Sequence, residues 1–139
     1  MIEVSMVPPQ YVDSCWEKVE PFAEKAARYT YGRYTANDIF SRMQDDNYQT
    51  WVAYDGSTFK GLVVTEIMTY PQRKLLSMHF CGGVDLKEWK EPMLTLLQRF
   101  AKDMGCDGIE SVGRPGWSKV FNKDGYKAIW VTYELPLGE

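Results

Sequence analysis

Residues 75–134 read LLSMHFCGGVDLKEWKEPMLTLLQRFAKDMGCDGIESVGRPGWSKVFNKDGYKAIWVTYE, and this stretch decides the fold. Residues 75–81 form a β-rich run that ends on Gly82-Gly83. Residues 85–104 carry apolar side chains at helical spacing. Residues 108–112 are a short strand, and residues 115–123 a short helix closed by Asp124-Gly125. Residues 126–135 are dense in aromatic and β-branched side chains and read as a last strand. Two strands joined through a crossover helix are expected to be parallel neighbours, so 75–82 and 108–112 should share one sheet.

The upstream chain has a different grammar. Residues 2–6 alternate apolar and polar, as a first strand does. Pro8-Pro9 opens a helix, where the missing N–H of proline costs nothing. Its apolar face holds Val12, Cys15, Trp16, Val19, Phe22, Ala23 and Ala26, and it is expected to kink or restart at Pro21. Thr35-Ala-Asn-Asp38 has the form of a capping box and starts a second helix. Strands follow at 50–54, 59–70 and 75–81, linked by the Asp55-Gly56 hairpin and the turn Tyr70-Pro71-Gln72-Arg73. The predicted order is β-α-α-β-β-β-α-β-α-β. It describes one α/β domain over 1–139: an antiparallel meander, then a parallel crossover, in a mixed sheet with helices on both faces.

Composition excludes several classes. A net charge of -3 gives no general attraction for nucleic acid phosphates. No apolar run is long enough to span a bilayer, and MIEVSMVPPQ lacks the basic-then-apolar form of a signal peptide. Cys15, Cys81 and Cys106 are odd in number and widely spaced, which fits reduced thiols in a cytoplasmic protein. His79 is the only histidine, which argues against a multi-histidine metal site, and no metal is expected.

The order of elements resembles the GNAT acyltransferase superfamily over nearly the whole chain. The most specific piece is Val120-Phe-Asn-Lys-Asp-Gly-Tyr126, which looks like the LYEKLGF segment of that family. MLTLLQRFAKDMGCDGI (93–109) looks like its central helix running into the fifth strand. Within the superfamily the chain looks most like small phage-encoded members. The resemblance implies acetyl-CoA in a notch between strands 75–82 and 108–112, and an amine acceptor. It places the donor along Cys81, Gly83 and Val84, with Lys87, Trp89, Lys90, Arg114 and Phe121 around it. A cytoplasmic monomer or homodimer is expected, with no membrane partner. The alternative is a GNAT-fold binding or structural protein that has lost CoA.

Two departures bear on that choice. Where the family has a glycine-rich turn for the pyrophosphate, this chain has Asp85-Leu-Lys-Glu-Trp-Lys90. Asp85 with Glu88 reads as a self-capped helix start whose carboxylates repel an anion. Where the family often has a tyrosine that protonates the leaving thiolate, this chain has Phe121.

Three residues are candidates for taking a proton from an amine. Alternation puts Ser77, His79 and Cys81 on one strand face, and His79 titrates near neutrality, although a hydrogen-bonded histidine in a covered sheet reads the same way. Glu66 and Glu110 are carboxylates in apolar strand sequence, where a partner is needed. Cys81, near the notch, is a nucleophile candidate with only His79 two residues away as a base, a spacing of roughly 6–7 Å that does not assure a hydrogen bond, and it reads first as a small apolar filler. Arg114 opens the last helix, Trp89 and Trp117 open the two helices beside the notch, and each has an ordinary surface or packing reading besides a ligand one.

Overall fold

The computed structural model describes residues 1–112 and 125–138. Strand β1 (Ile2–Val7) is followed by a 3-10 turn at Pro9–Tyr11 and helices α1 (Val12–Ala27) and α2 (Ala36–Met43). Strands β2 (Tyr48–Asp55), β3 (Thr58–Thr69) and β4 (Lys74–Gly83) form the meander. Helix α3 (Leu86–Asp103) then crosses over to β5 (Gly108–Ser111). The capping box forms as read: the Asp38 amide donates to Thr35 Oγ1 at 3.2 Å, and the Thr35 amide donates to Asp38 Oδ2 at 2.8 Å. Helix α1 runs through Pro21 as one element, without the expected restart.

The strands lie in the order β1-β2-β3-β4-β5. The first three pairings are antiparallel and β4–β5 is parallel, as the crossover requires. One face packs Val52, Leu62, Val64 and Phe80 against α1 and α2. The other packs Trp51, Val63, Leu76 and Met78 against Trp89, Met93, Leu97 and Ala101 of α3. No helix among the described residues is long and apolar enough to cross a membrane.

Two irregularities set which side chains meet. Between β2 and β3 the register shifts so that Tyr54 faces Phe59 and Ala53 faces Gly61, leaving Lys60 as the extra residue. Between β3 and β4, Val64 faces Phe80 and Thr65 faces Met78, leaving His79 extra. A bulge of this kind puts two consecutive residues on one side of a strand. His79 therefore joins Phe80 on the α1–α2 side, and Cys81 goes to the α3 side. The simple alternation that grouped His79 with Cys81 fails here for that reason.

Two further expectations change, and one lies outside the described residues. Asp85 does not cap α3 with its side chain; its backbone is left-handed at φ 53°, ψ 45°. Its carboxylate is taken by Lys60 Nζ at 2.9 Å, with Glu88 Oε1 3.7 Å from the same ammonium. Residues 126–135 are assigned no strand; Tyr126 is half-buried and residues 127–135 are exposed. The helix expected at 115–123, with Arg114, Trp117, Lys119, Phe121 and Lys123, lies outside the described residues.

The glycines ending β4 answer to packing. A Cβ on Gly82 would strike the carbonyl oxygen of Phe22 in α1, and one on Gly61 would strike the Trp89 ring. Gly82→Ala is expected to cost about 1–3 kcal/mol through overpacking. Gly138→Ala, in open space, should leave the urea midpoint unchanged, and equal midpoints for the two variants would refute the contact.

Desolvation on the α3 side pushes the Cys81 thiol up to about 12. The native state holds that proton at pH values where the unfolded thiol, near ~8.5, has released it. The unfolded chain thus binds fewer protons above pH ~8.5, and stability should fall as pH rises from there toward 12. Cys81→Ala should flatten that slope in denaturant titrations. Native Cys81 should also resist thiol reagents at pH 8, and labelling as fast as in the unfolded chain would contradict this placement.

Candidate active site

The bulge at His79 brings a polar group together at the edge of the α1–α2 core. Tyr48 faces Glu66, Glu66 faces Ser77, and Ser77 faces Glu110, so one row crosses β2, β3, β4 and β5. Directly paired residues project to the same side of a sheet. Glu66, Ser77 and Glu110 therefore share the face on which His79 emerges. All three proton-taking candidates read from the sequence stand on that face.

His79 Nε2 lies 2.8 Å from Glu66 Oε1, and both side chains are about a quarter exposed, at 27% and 25%. They are held in place yet open to solvent. The Tyr48 ring lies 6.0 Å from the His79 ring, and Phe80 lies at the same distance on another side. Burial raises the Tyr48 phenol above its ordinary value, and the neighbouring Glu66 carboxylate adds to the rise. Tyr48 is therefore a neutral donor at physiological pH. The Arg42 guanidinium sits 5.6 Å from the centre of the Tyr48 ring and 5.8 Å from that of Tyr34, a cation–π arrangement.

At the other end of the row, the Tyr70 hydroxyl donates to Glu110 Oε2 at 2.7 Å, and this bond keeps the phenol protonated. Glu110 is paired through the β3–β4 turn, and the structure shows no direct contact between it and His79. Beside the row lies an open cleft of about 480 Å³, walled by Arg42, Asp45, Asp46, Tyr48, Gln49 and Glu66 among others. Sequence reasoning missed Tyr48, Arg42 and Tyr70, since only the strand register and the turns bring them to Glu66 and Glu110.

The β5 side of β4 is built differently. β5 pairs with β4 only from Leu75 to Met78. From His79 to Gly83 the β4 edge has no strand on that side among the described residues. Cys81 is partly buried against the α3-side core, and desolvation pushes its thiol up to about 12. Trp89 is buried, and its indole N–H donates to the Val84 carbonyl at 2.9 Å, so it is a core residue and closes the loop between β4 and α3. Gly83 gives room to that ring and its carbonyl accepts from Lys25 Nζ at 2.9 Å. Val84 and Lys87 are exposed and Lys90 is half-buried near the first turn of α3, where Asp85 and Glu88 flank Lys60.

No family model matches the chain, and no curated protein matches it in sequence. Solved structures match its fold. An aminoglycoside N-acetyltransferase, AAC(6')-Iy, solved in complex with CoA, superposes with a TM-score of 0.73 at 12% identity, over 99% of this chain and 96% of that one. A ribosomal-protein-alanine N-acetyltransferase from Brucella melitensis biovar Abortus 2308 gives a TM-score of 0.73 at 12% identity, over 99% and 100%. A transcriptional regulator from Bacillus halodurans C-125 gives 0.69 at 13% identity, over 99% and 100%. At such identities the likeness speaks for architecture alone, and two of these three proteins are acetyltransferases by name. With its meander, its parallel crossover and its helices on both faces, this chain has the fold of the GNAT acetyltransferases, in a divergent form.

Proposed function

We propose that the protein transfers an acetyl group from acetyl-CoA to an amine. The observation that carries this reading is the Glu66–His79 pair, 2.8 Å apart, beside the stretch of β4 that has lost its β5 neighbour. An extended amide-bearing arm fits such an edge, because it can take up the backbone hydrogen bonds that β5 leaves unmade. The phosphate end fits poorly. The first turn of α3 carries Asp85 and Glu88, and Asp85 Oδ2 already holds Lys60. The arm, more than the pyrophosphate, would then supply the affinity.

His79 acts as the base in this reading. The Glu66 carboxylate accepts from Nε2–H, which leaves Nδ1 with its lone pair outward. Nδ1 takes the proton that the amine sheds as its nitrogen bonds to the thioester carbonyl carbon and the sulfur departs as thiolate. Glu66 positions the imidazole and steadies its charged form, and Tyr48 packs beside it. Asp45, Asp46 and Glu66 along the cleft suit a cationic acceptor.

The carboxylates at α3 favour a second reading, in which the fold binds a partner without catalysis. Assay of thiol release from acetyl-CoA over a panel of amines separates the two. His79→Ala should lower kcat by about 10²–10⁴-fold, the usual worth of a general base, with KM for acetyl-CoA little changed. Full activity in the His79→Ala, Glu66→Gln double variant would remove both residues from the mechanism. Asp85→Asn with Glu88→Gln should tighten acetyl-CoA, since it frees Lys60 for phosphate. At about 100 Kd the ligand adds about 2.7 kcal/mol to stability, readable as a thermal shift. No shift and no heat of titration, in either form, would leave the binding reading.

A further inference from the structure

We infer, resting on acetyl transfer as the activity, that the acceptor is a small zwitterion: an amine that also carries a carboxylate. The cleft beside the Glu66–His79 pair is about 480 Å³, a size that takes a small molecule. It rounds the start of β2, where Tyr48 and Gln49 are consecutive and lie on opposite faces of the strand, and both line it. Glu66, which holds His79, lines it as well, together with Asp45 and Asp46. Those carboxylates account for an ammonium group. Two donors on the same walls account for a carboxylate.

The first donor is Arg42, in the last turn of α2. Its guanidinium lies 5.6 Å from the centre of the Tyr48 ring and 5.8 Å from that of Tyr34. None of the ion pairs among the described residues uses it. A guanidinium positioned by rings keeps its planar fork of N–H donors for a pair of oxygens.

The second donor is Gln49, whose amide is oriented from the core. The Trp51 indole N–H donates to Thr65 Oγ1 at 2.9 Å, and Thr65 Oγ1 donates to Gln49 Oε1 at 2.8 Å. An indole nitrogen can only donate, so the Thr65 oxygen must accept from it. Thr65 is buried and has one hydroxyl proton, which goes to Gln49. A flipped amide would leave that buried proton without this acceptor, which is costly. Oε1 therefore points inward, and the two Nε2 hydrogens are left for the cleft that Gln49 lines. Arg42 supplies charge and Gln49 a directed donor. A diamine would bring a second cation to a cleft that already holds Arg42, whereas an amino acid matches both signs at once.

The test measures thiol release from acetyl-CoA with L-alanine, β-alanine and γ-aminobutyrate, each against its primary amide, which keeps the amine and removes the negative charge. The best acid should exceed its amide in kcat/KM by at least about 100-fold. Gln49→Glu is nearly isosteric and replaces both donors by acceptor oxygen. Gln49→Glu and Arg42→Gln should each shrink the acid-to-amide ratio at least about 10-fold, through KM for the acid, with a native thermal transition retained. If Arg42→Gln fails to fold, Gln49→Glu decides alone. Equal turnover of acids and amides by the native chain, or a ratio that a folded variant leaves unchanged, would overturn the inference. If no amine is acetylated, the transfer reading falls, and isothermal titration of the same three acids decides the site separately. Heat that Gln49→Glu abolishes would sustain the carboxylate site. No heat from the native chain, or heat that persists in Gln49→Glu, would overturn it.

Discussion

One unopposed residue in β4 governs which side chains meet in this fold. If β3 and β4 paired without interruption, His79 and Phe80 would point to opposite sides of the sheet. Because β4 spends two residues against one on β3, both face the α1–α2 layer. That single insertion lets an imidazole reach Glu66, keeps a large aromatic ring in the core beside it, and sends Cys81 into the apolar layer under α3. It also falls one residue past the last rung shared with β5. The strand bends where its neighbour stops, and the polar group sits at that corner.

The second insertion, at Lys60, does comparable work at the opposite end. Lys60 reaches the start of α3, where the helix dipole would otherwise be met only by Asp85 and Glu88. The ammonium balances two carboxylates, and Trp89 lies against Gly61 in the same corner. Packing and charge are thus settled within the protein at this end. Lys60 pairs with the carboxylates at the helix start, while on the β5 side β4 beyond Met78 has no neighbouring strand among the described residues.

The sequence was informative about elements and poor about faces. The crossover from 75–82 to 108–112 was legible because helical periodicity and two apolar runs leave only one common arrangement, the right-handed parallel one. The capping box at Thr35 was legible because it is local. Glu66, His79 and Glu110 were recognisable as polar residues in strand sequence, but their mutual geometry was not. Counting pairs from the Asp55-Gly56 turn without the Lys60 insertion sets Tyr48 opposite Thr65, on the wrong face; with it, Tyr48 meets Glu66. No local pattern announces a bulge, and one residue of slip inverts every side chain beyond it. Asp85 was misread for a related reason. Its spacing to Glu88 is that of a cap, but Lys60 is 25 residues away in the chain and claims the carboxylate.

These features divide the molecule into two unlike faces. The face toward α1 and α2 keeps an imidazole, its carboxylate partner and a cleft of mixed charge, none of which a stable core requires. A His–Glu pair in a sheet loses hydration that packed apolar residues would not, so its presence there must be balanced by its own hydrogen bond and by access to water. Both conditions hold, since the pair is bonded at 2.8 Å and about a quarter exposed. The α3 end shows the reverse, with its glycines, tryptophan and ion pairs all turned inward. The polar side chains are therefore gathered on the α1–α2 face, and on the β5 side β4 beyond Met78 has no neighbouring strand among the described residues.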